Sequence, residues 1–155
     1  MKAVKIIVGI ALIVGLSSAV YAAETARIAS VLQTKGTVEV KMGGDIWMPA
    51  RDGMILKQGD AIRAKQGSFA LLNLDGNGQT ATVEVKENSS LALASLIEDK
   101  AAGTEKTLLD LSLGGIMIKA KKLHSEKSSF EVKTPTSIVG VRGTTFAVTV
   151  EAMEE

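Results

Sequence analysis

Short apolar-polar alternations separated by glycine dominate the chain from Arg27 onward. In Thr82-Val-Glu-Val-Lys86 and in Phe130-Glu-Val-Lys133 every second residue is apolar, which is the pattern of a strand with one buried face. The pattern predicts strands over residues 28–32, 37–41, 45–48, 61–64, 69–74, 80–86, 91–97, 107–113, 116–121, 130–133, 138–141 and 145–151. The sequence therefore predicts an all-β fold.

Glycine-rich turns set the spacing of these strands. Gly114-Gly115 is interpreted as a two-residue hairpin turn between two of them. Phrases such as Gly36-Thr-Val-Glu-Val40 and Gly67-Ser-Phe-Ala-Leu71 return at irregular intervals. This organisation favours a solenoid-like or a sandwich-like stack of short strands, and the sequence leaves both open.

The first 22 residues have the pattern of a cleaved signal peptide. Lys2 and Lys5 precede the apolar run 6–16, and small residues lead to Ala22. That run is shorter than the roughly 20 residues that span a bilayer, so a membrane anchor is the weaker alternative. We therefore predict a signal peptide over 1–22, a single domain over 23–155, and a periplasmic or secreted location without a stable membrane anchor.

Charge and cysteine content limit the binding partners and the sources of stability that the sequence predicts. The chain has 18 basic and 17 acidic residues and no cysteine; removing Lys2 and Lys5 leaves 16 basic and 17 acidic residues, a net charge of −1. Nucleic-acid binding needs a concentrated basic surface, so it is not predicted. Stability has to come from a hydrophobic core rather than from disulfides.

The order of short sequence motifs from Gly53 to Val150 resembles that of the FecR domain. Its parts are Leu56-Lys-Gln-Gly59-Asp60, the strand 68–74 with Asp75-Gly76, Asn88-Ser-Ser-Leu91, and a terminal signature. The signature comprises Thr134, Pro135, Val141, Arg142, Gly143, Thr144 and Phe146. The resemblance implies an extracytoplasmic all-β module that works by protein contact rather than catalysis, without a cofactor. The anti-sigma segment and membrane helix of full-length iron-citrate sensors have no counterpart in this sequence, so sigma-factor regulation is not carried over.

We interpret the signature residues, together with Gly59 and Asp60, as structural. Arg142 lies between two glycines, and the favoured interpretation is that it binds a carboxylate such as Asp60 or Glu87 and locks the last strand. The alternative is an anion-binding turn with Arg142 as a bidentate donor. Thr134 and Pro135 are interpreted as the start of a strand.

Other candidate sites have weaker signals. Asp75-Gly-Asn-Gly78 resembles the start of a calcium loop, but Lys86 stands where the loop needs an acid, so a hairpin turn is preferred. His124, the only histidine, has no cysteine or nearby carboxylate to complete a metal site. Lys119-Ala-Lys-Lys122 is a small basic cluster that could meet anionic lipid or cell-wall polymer. Trp47 is assigned to the core in preference to an exposed binding face.

Three functions remain open from the sequence. The leading hypothesis is an exported, non-catalytic interaction or sensor module of the cell envelope, whose partner is another envelope protein or a cell-wall glycan. Strand addition at an exposed sheet edge is one way for it to bind. The alternatives are a structural, self-assembling envelope protein and a small carbohydrate-active hydrolase using Asp60, Asp75 or Glu87. The sequence does not predict the oligomeric state.

Overall fold

The computed structural model describes residues 24–74, 81–123, 125–143 and 145–151. Within these ranges every regular element is a strand, which confirms the predicted all-β class. The strands are β1 (Thr25–Ala26), β2 (Ala29–Lys35), β3 (Val38–Lys41), β4 (Trp47–Pro49), β5 (Ile55–Leu56), β6 (Ala61–Ala64), β7 (Phe69–Leu74), β8 (Ala81–Val85), β9 (Ser89–Asp99), β10 (Thr104–Ala120), β11 (Ser129–Lys133), β12 (Ile138–Val141) and β13 (Thr145–Val150). The predicted signal peptide lies outside the described residues.

The long strand β10 connects two half-sheets. Its first part, from Thr104 to Leu113, pairs with β9 and β11, and its second part, from Gly114 to Ala120, pairs with β8 and β13. The first half-sheet has the order β4-β3-β6-β9-β10-β11-β12, and the second the order β5-β2-β7-β8-β10-β13. All these pairings are antiparallel except that between β10 and β11.

The two half-sheets bury their inner residues in one hydrophobic cluster. Alternate residues of β8 are buried, namely Ala81, Val83 and Val85, and the same holds for Phe130 and Val132 of β11. Side chains from both half-sheets belong to this cluster, and fully burying a Leu, Ile or Phe side chain stabilises a fold by about 1.5–3 kcal/mol. The two half-sheets, joined through β10, thus form one curled and mostly antiparallel sheet around a single core.

The predicted hairpin turn at Gly114-Gly115 is wrong. The chain passes through these glycines without reversing, and β10 continues from one half-sheet into the other. Gly114 has a φ of +80°, which accounts for the need for glycine. The hydroxyl of Ser89 accepts a hydrogen bond from the Gly115 amide at 2.8 Å and donates to the Gly115 carbonyl at 3.0 Å. These bonds hold β10 where it changes partners.

Candidate functional site

The Thr134-Pro135 part of the terminal signature forms a closed turn. The Thr134 amide donates to the Ser137 carbonyl at 2.8 Å, and the Ser137 amide donates to the Thr134 hydroxyl at 3.0 Å. Thr134 is buried, whereas Pro135 is exposed. The polar groups of Thr134 are therefore used to begin β12, in keeping with the structural interpretation of this residue.

The second part of the signature joins β12 to β13. Val141 is buried in the core and Phe146 packs against it. Between them Gly143 has a φ of +85°, and a Cβ added there would lie 2.5 Å from the Cα of Lys122. Only glycine fits at this position, because both the backbone conformation and the space exclude a side chain. Thr144 lies outside the described residues.

Arg142 does not bind either carboxylate that was predicted as its partner, Asp60 or Glu87. Asp60 is buried and accepts hydrogen bonds from the amides of Lys57 at 2.7 Å and Gly43 at 3.1 Å. Glu87 accepts from the Gly67 amide at 2.7 Å. Both carboxylates therefore have backbone partners, and Arg142 is exposed. At the connection between β12 and β13 the backbone of Gly143 lies close to that of Lys122.

Gly59 and Asp60 hold a turn in front of β6. Gly59 has a φ of +92°, and its amide donates to the Leu93 carbonyl at 2.8 Å. The Leu93 amide donates to the Asp60 carbonyl at 2.9 Å. The turn is thus bonded to β9 through its backbone, while the Asp60 side chain satisfies two amides within and beside it. This geometry gives Asp60 a structural use.

An open groove of about 730 Å³ lies between β12 and β13, and we call it the C-terminal groove. It runs from the Thr134–Ser137 turn along Val139 of β12 and residues 147–150 of β13 to Glu151, with Ser112 and Leu113 of β10 also in its wall. Among the described strands, β12 pairs only with β11 and β13 only with β10. Each wall of the groove is therefore formed partly by a strand with one unpaired edge.

The C-terminal groove combines apolar side chains with hydroxyls. Leu113 and Val139 in its lining are exposed, and Ile138, which adjoins Val139 on the opposite face of β12, is 63% exposed. Glu151 is the one charged residue in its described lining. Such a surface offers backbone groups and β-branched side chains to an extended polypeptide. It does not bring together the two carboxylates that glycoside hydrolysis requires.

Trp47 is not in the core, so that prediction is wrong. It lies half-buried on the edge strand β4, directly opposite Lys41 in the pairing with β3. The Arg63 guanidinium lies 4.1 Å from the centre of the indole ring and the Lys41 ammonium 5.6 Å from it. The indole therefore packs under two cations on the outer face.

Glu39 anchors the Arg63 side chain that covers Trp47. One carboxylate oxygen of Glu39 accepts a hydrogen bond from the Nε of Arg63 at 2.6 Å and lies 3.5 Å from the Lys65 ammonium. The hydrogen bond with Arg63 lowers the pKa of Glu39 below its ordinary value, and the positive charges of Arg63 and Lys65 add to the effect.

The lowered pKa of Glu39 predicts a pH-dependent signal at Trp47. The contribution of this pair to stability is present above the unfolded-state pKa of glutamate and is lost as the pH falls through the lower folded-state pKa. We expect Trp47 fluorescence to change in acid with a midpoint below the ordinary pKa of glutamate, because protonated Glu39 no longer holds Arg63. The Glu39→Gln variant is the control and should lack this transition. A midpoint at or above the ordinary value would contradict the assignment.

Of the remaining candidate residues, those in the described ranges form no site. Asp75-Gly-Asn-Gly78 and His124 lie outside the described residues. In the part of the chain that is described, no cluster of His, Cys, Asp or Glu could hold a metal ion. Lys119 and Lys122 are exposed at the end of β10. No helix in the described ranges has the length and apolar character to cross a membrane.

Sequence reasoning missed Arg27. This arginine is buried, and its guanidinium donates to the carbonyls of Ile97 at 3.3 Å and Lys106 at 3.2 Å and to the hydroxyl of Thr107. It thus connects the beginning of the domain to β9 and β10. No local signal marks it, because these three partners of its guanidinium lie 70 to 80 residues away in the chain.

The fold and its C-terminal groove together define an all-β module that presents free strand edges. Comparison with protein families identifies the family of this module. The model of the family described as FecR protein matches residues 60–154, which is 95 of the 155 residues. The chain therefore belongs to the FecR family, as its resemblance implied. No curated protein and no solved structure matches the chain. Family membership suggests a sensor or signalling module of the cell envelope.

Proposed function

We propose that this protein is an exported, non-catalytic sensor or interaction module of the bacterial cell envelope, and that it binds its partner at the C-terminal groove. The observation that carries the proposal is the groove itself, since two strands with unpaired edges meet there beside exposed apolar side chains. Its walls belong to the family-matched part of the chain.

The chemistry of the groove favours an extended segment of another envelope protein over a glycan. An incoming strand gains backbone hydrogen bonds along an unpaired edge. Its apolar side chains can pack against exposed groove residues such as Val139. Recognition of a sugar ring would favour an aromatic platform, and Trp47 lies on β4, at the other end of the first half-sheet, with Arg63 against its ring.

A matched pair of substitutions tests this binding surface. Ile138→Asp places a charge on β12, where a strand added along the unpaired edge would cover it. Ile46→Asp places the same charge on the β3–β4 connection, where the isoleucine is 78% exposed. We expect an envelope protein that is recovered with the wild-type chain to be recovered at least about tenfold less with Ile138→Asp, because desolvating a carboxylate in an apolar contact is costly. Recovery with Ile46→Asp should not change.

Two results would contradict the proposal. One is that the envelope fraction yields no protein that depends on Ile138. The other is that both variants reduce recovery equally, which would place the contact elsewhere or show a general loss of folding. Trp47 fluorescence measured on each variant separates these last two explanations.

A further inference from the structure

β13 differs from the other free edges of the fold. Its counterparts among the described strands are shorter: β4 has only three residues and contains Pro49, β1 and β5 have two residues each, and β12 has four residues and contains Gly140. β13 has six residues, Thr-Phe-Ala-Val-Thr-Val, with no charge, proline or glycine. Among the described strands it pairs only with β10, and a strand of this kind is a template for another strand.

The charges around β13 are separated between its two ends. Lys119 lies directly opposite Thr145 at its start, and Arg142 precedes it by three residues. Glu151 follows its last residue. An antiparallel incoming strand places its C-terminal end beside the basic residues and its N-terminal end beside Glu151. The complementary strand is therefore basic at its start, uncharged in its middle and acidic at its end.

β13 itself has this order, from Arg142 through an uncharged strand to Glu151. We propose that two copies of this protein pair antiparallel through β13, related by a two-fold axis, and so join their second half-sheets into one continuous sheet. Because each edge meets an identical edge, the contact is isologous and closes as a dimer.

The pleat fixes the register of this pair. Thr145, Ala147 and Thr149 are exposed on the outer face of β13, and directly opposed residues of an antiparallel pair share a face. Pairing centred on Val148 keeps these faces together. It sets Ala147 opposite Thr149 of the second copy, and Thr145 opposite Glu151 of the second copy.

This register brings opposite charges together twice. Lys119, Thr145 and Glu151 of the second copy form one row across three strands on the outer face, with the lysine and the glutamate on either side of the threonine. On the inner face, the half-buried Phe146 lies opposite Val150 of the second copy. The dimer thus covers apolar surface and pairs charge at both of its ends.

The dimer does not depend on the envelope partner proposed above. Residues 147–151 form one wall of the C-terminal groove, so the second copy and an envelope partner would compete for that wall. The Ile138→Asp comparison concerns the opposite wall, formed by β12, and the two proposals can therefore fail separately.

Sedimentation equilibrium of the purified chain tests the dimer. The wild type should sediment with twice the mass of one chain. In the Ala147→Lys/Thr149→Lys variant, lysines face one another twice across the junction, and the dimer dissociation constant should rise roughly tenfold or more. In the Ala147→Glu/Thr149→Lys variant, glutamate faces lysine instead, and the dimer should persist. A monomeric wild type, or equal behaviour of the two variants, would overturn the proposal.

A charge-swap experiment tests the dimer even if the Ala147→Lys/Thr149→Lys variant does not fold. Glu151→Lys should weaken the dimer, because it places a lysine in the same row as Lys119. Adding Lys119→Glu to that variant should restore association. If the two substitutions together associate no better than Glu151→Lys alone, the register centred on Val148 is wrong.

Discussion

Gly114→Ala is expected to lower the free energy of unfolding by about 3 kcal/mol or more, the largest effect of any substitution considered in this protein. A Cβ at this position would lie 2.3 Å from the Ser89 hydroxyl oxygen and 2.4 Å from the Asn88 carbonyl oxygen. The backbone there has a φ of +80°, which strains any side chain. Urea unfolding followed by the fluorescence of Trp47, the only tryptophan, measures the loss.

Substitutions at two other glycines separate the cost of backbone strain from the cost of a steric clash. Gly53 has a φ of +84° but nothing within 4 Å of an added Cβ, so Gly53→Ala should cost about 1 kcal/mol from backbone strain alone. Gly44 has neither problem, and Gly44→Ala should stay within about 0.5 kcal/mol of the wild type. If Gly114→Ala cost no more than Gly53→Ala, the junction of the two half-sheets would be able to relax around a side chain.

Gly143→Ala should have the second-largest effect, a loss of about 2–4 kcal/mol. A Cβ there would meet backbone atoms of Lys122, the Cα at 2.5 Å and the amide nitrogen at 2.9 Å. Backbone cannot rotate away as the end of a side chain can, so the connection between β12 and β13 has to shift. Gly140→Ala, three residues earlier, has open space and should be nearly neutral, which makes it the control.

The outcome of Gly143→Ala bears on the meaning of the family signature. A large loss would show that this glycine is required for the fold, since an added Cβ would collide with the backbone of Lys122. A stable variant that had lost partner binding would contradict this interpretation and would assign the signature to a contact surface. The same unfolding measurement, made beside the recovery experiment, distinguishes the two.

The sequence predicted the strands well because their buried faces are encoded locally. In Thr82-Val-Glu-Val-Lys86 the valines are buried and the polar residues are not, as alternation alone requires. The terminal signature also indicated the family and the strand connection at Gly143. These signals operate within a few residues, and tertiary contacts do not reverse them.

Features that depend on distant residues were not predictable. Two adjacent glycines are typical of a hairpin turn, but β10 continues through them and is bonded at Gly115 to Ser89, 26 residues away. Trp47 was assigned to the core by its hydrophobicity, but the position of β4 at a sheet edge leaves it under Arg63 and Lys41. Strand addition is predicted by the sequence in general terms, whereas the groove depends on the pairing of β12 with β11 and of β13 with β10, which no local pattern shows.

Site-specific photo-crosslinking in living cells tests most directly whether the C-terminal groove contacts an envelope protein. A photoreactive residue replacing Val139 lies in the groove, and one replacing Ile46 lies on the β3–β4 connection as a matched exposed control. We expect a discrete crosslink to one envelope protein from position 139 and none from position 46. A crosslink from position 46 alone, or the same pattern from both positions, would contradict the proposal that this FecR-family module binds its partner at the groove.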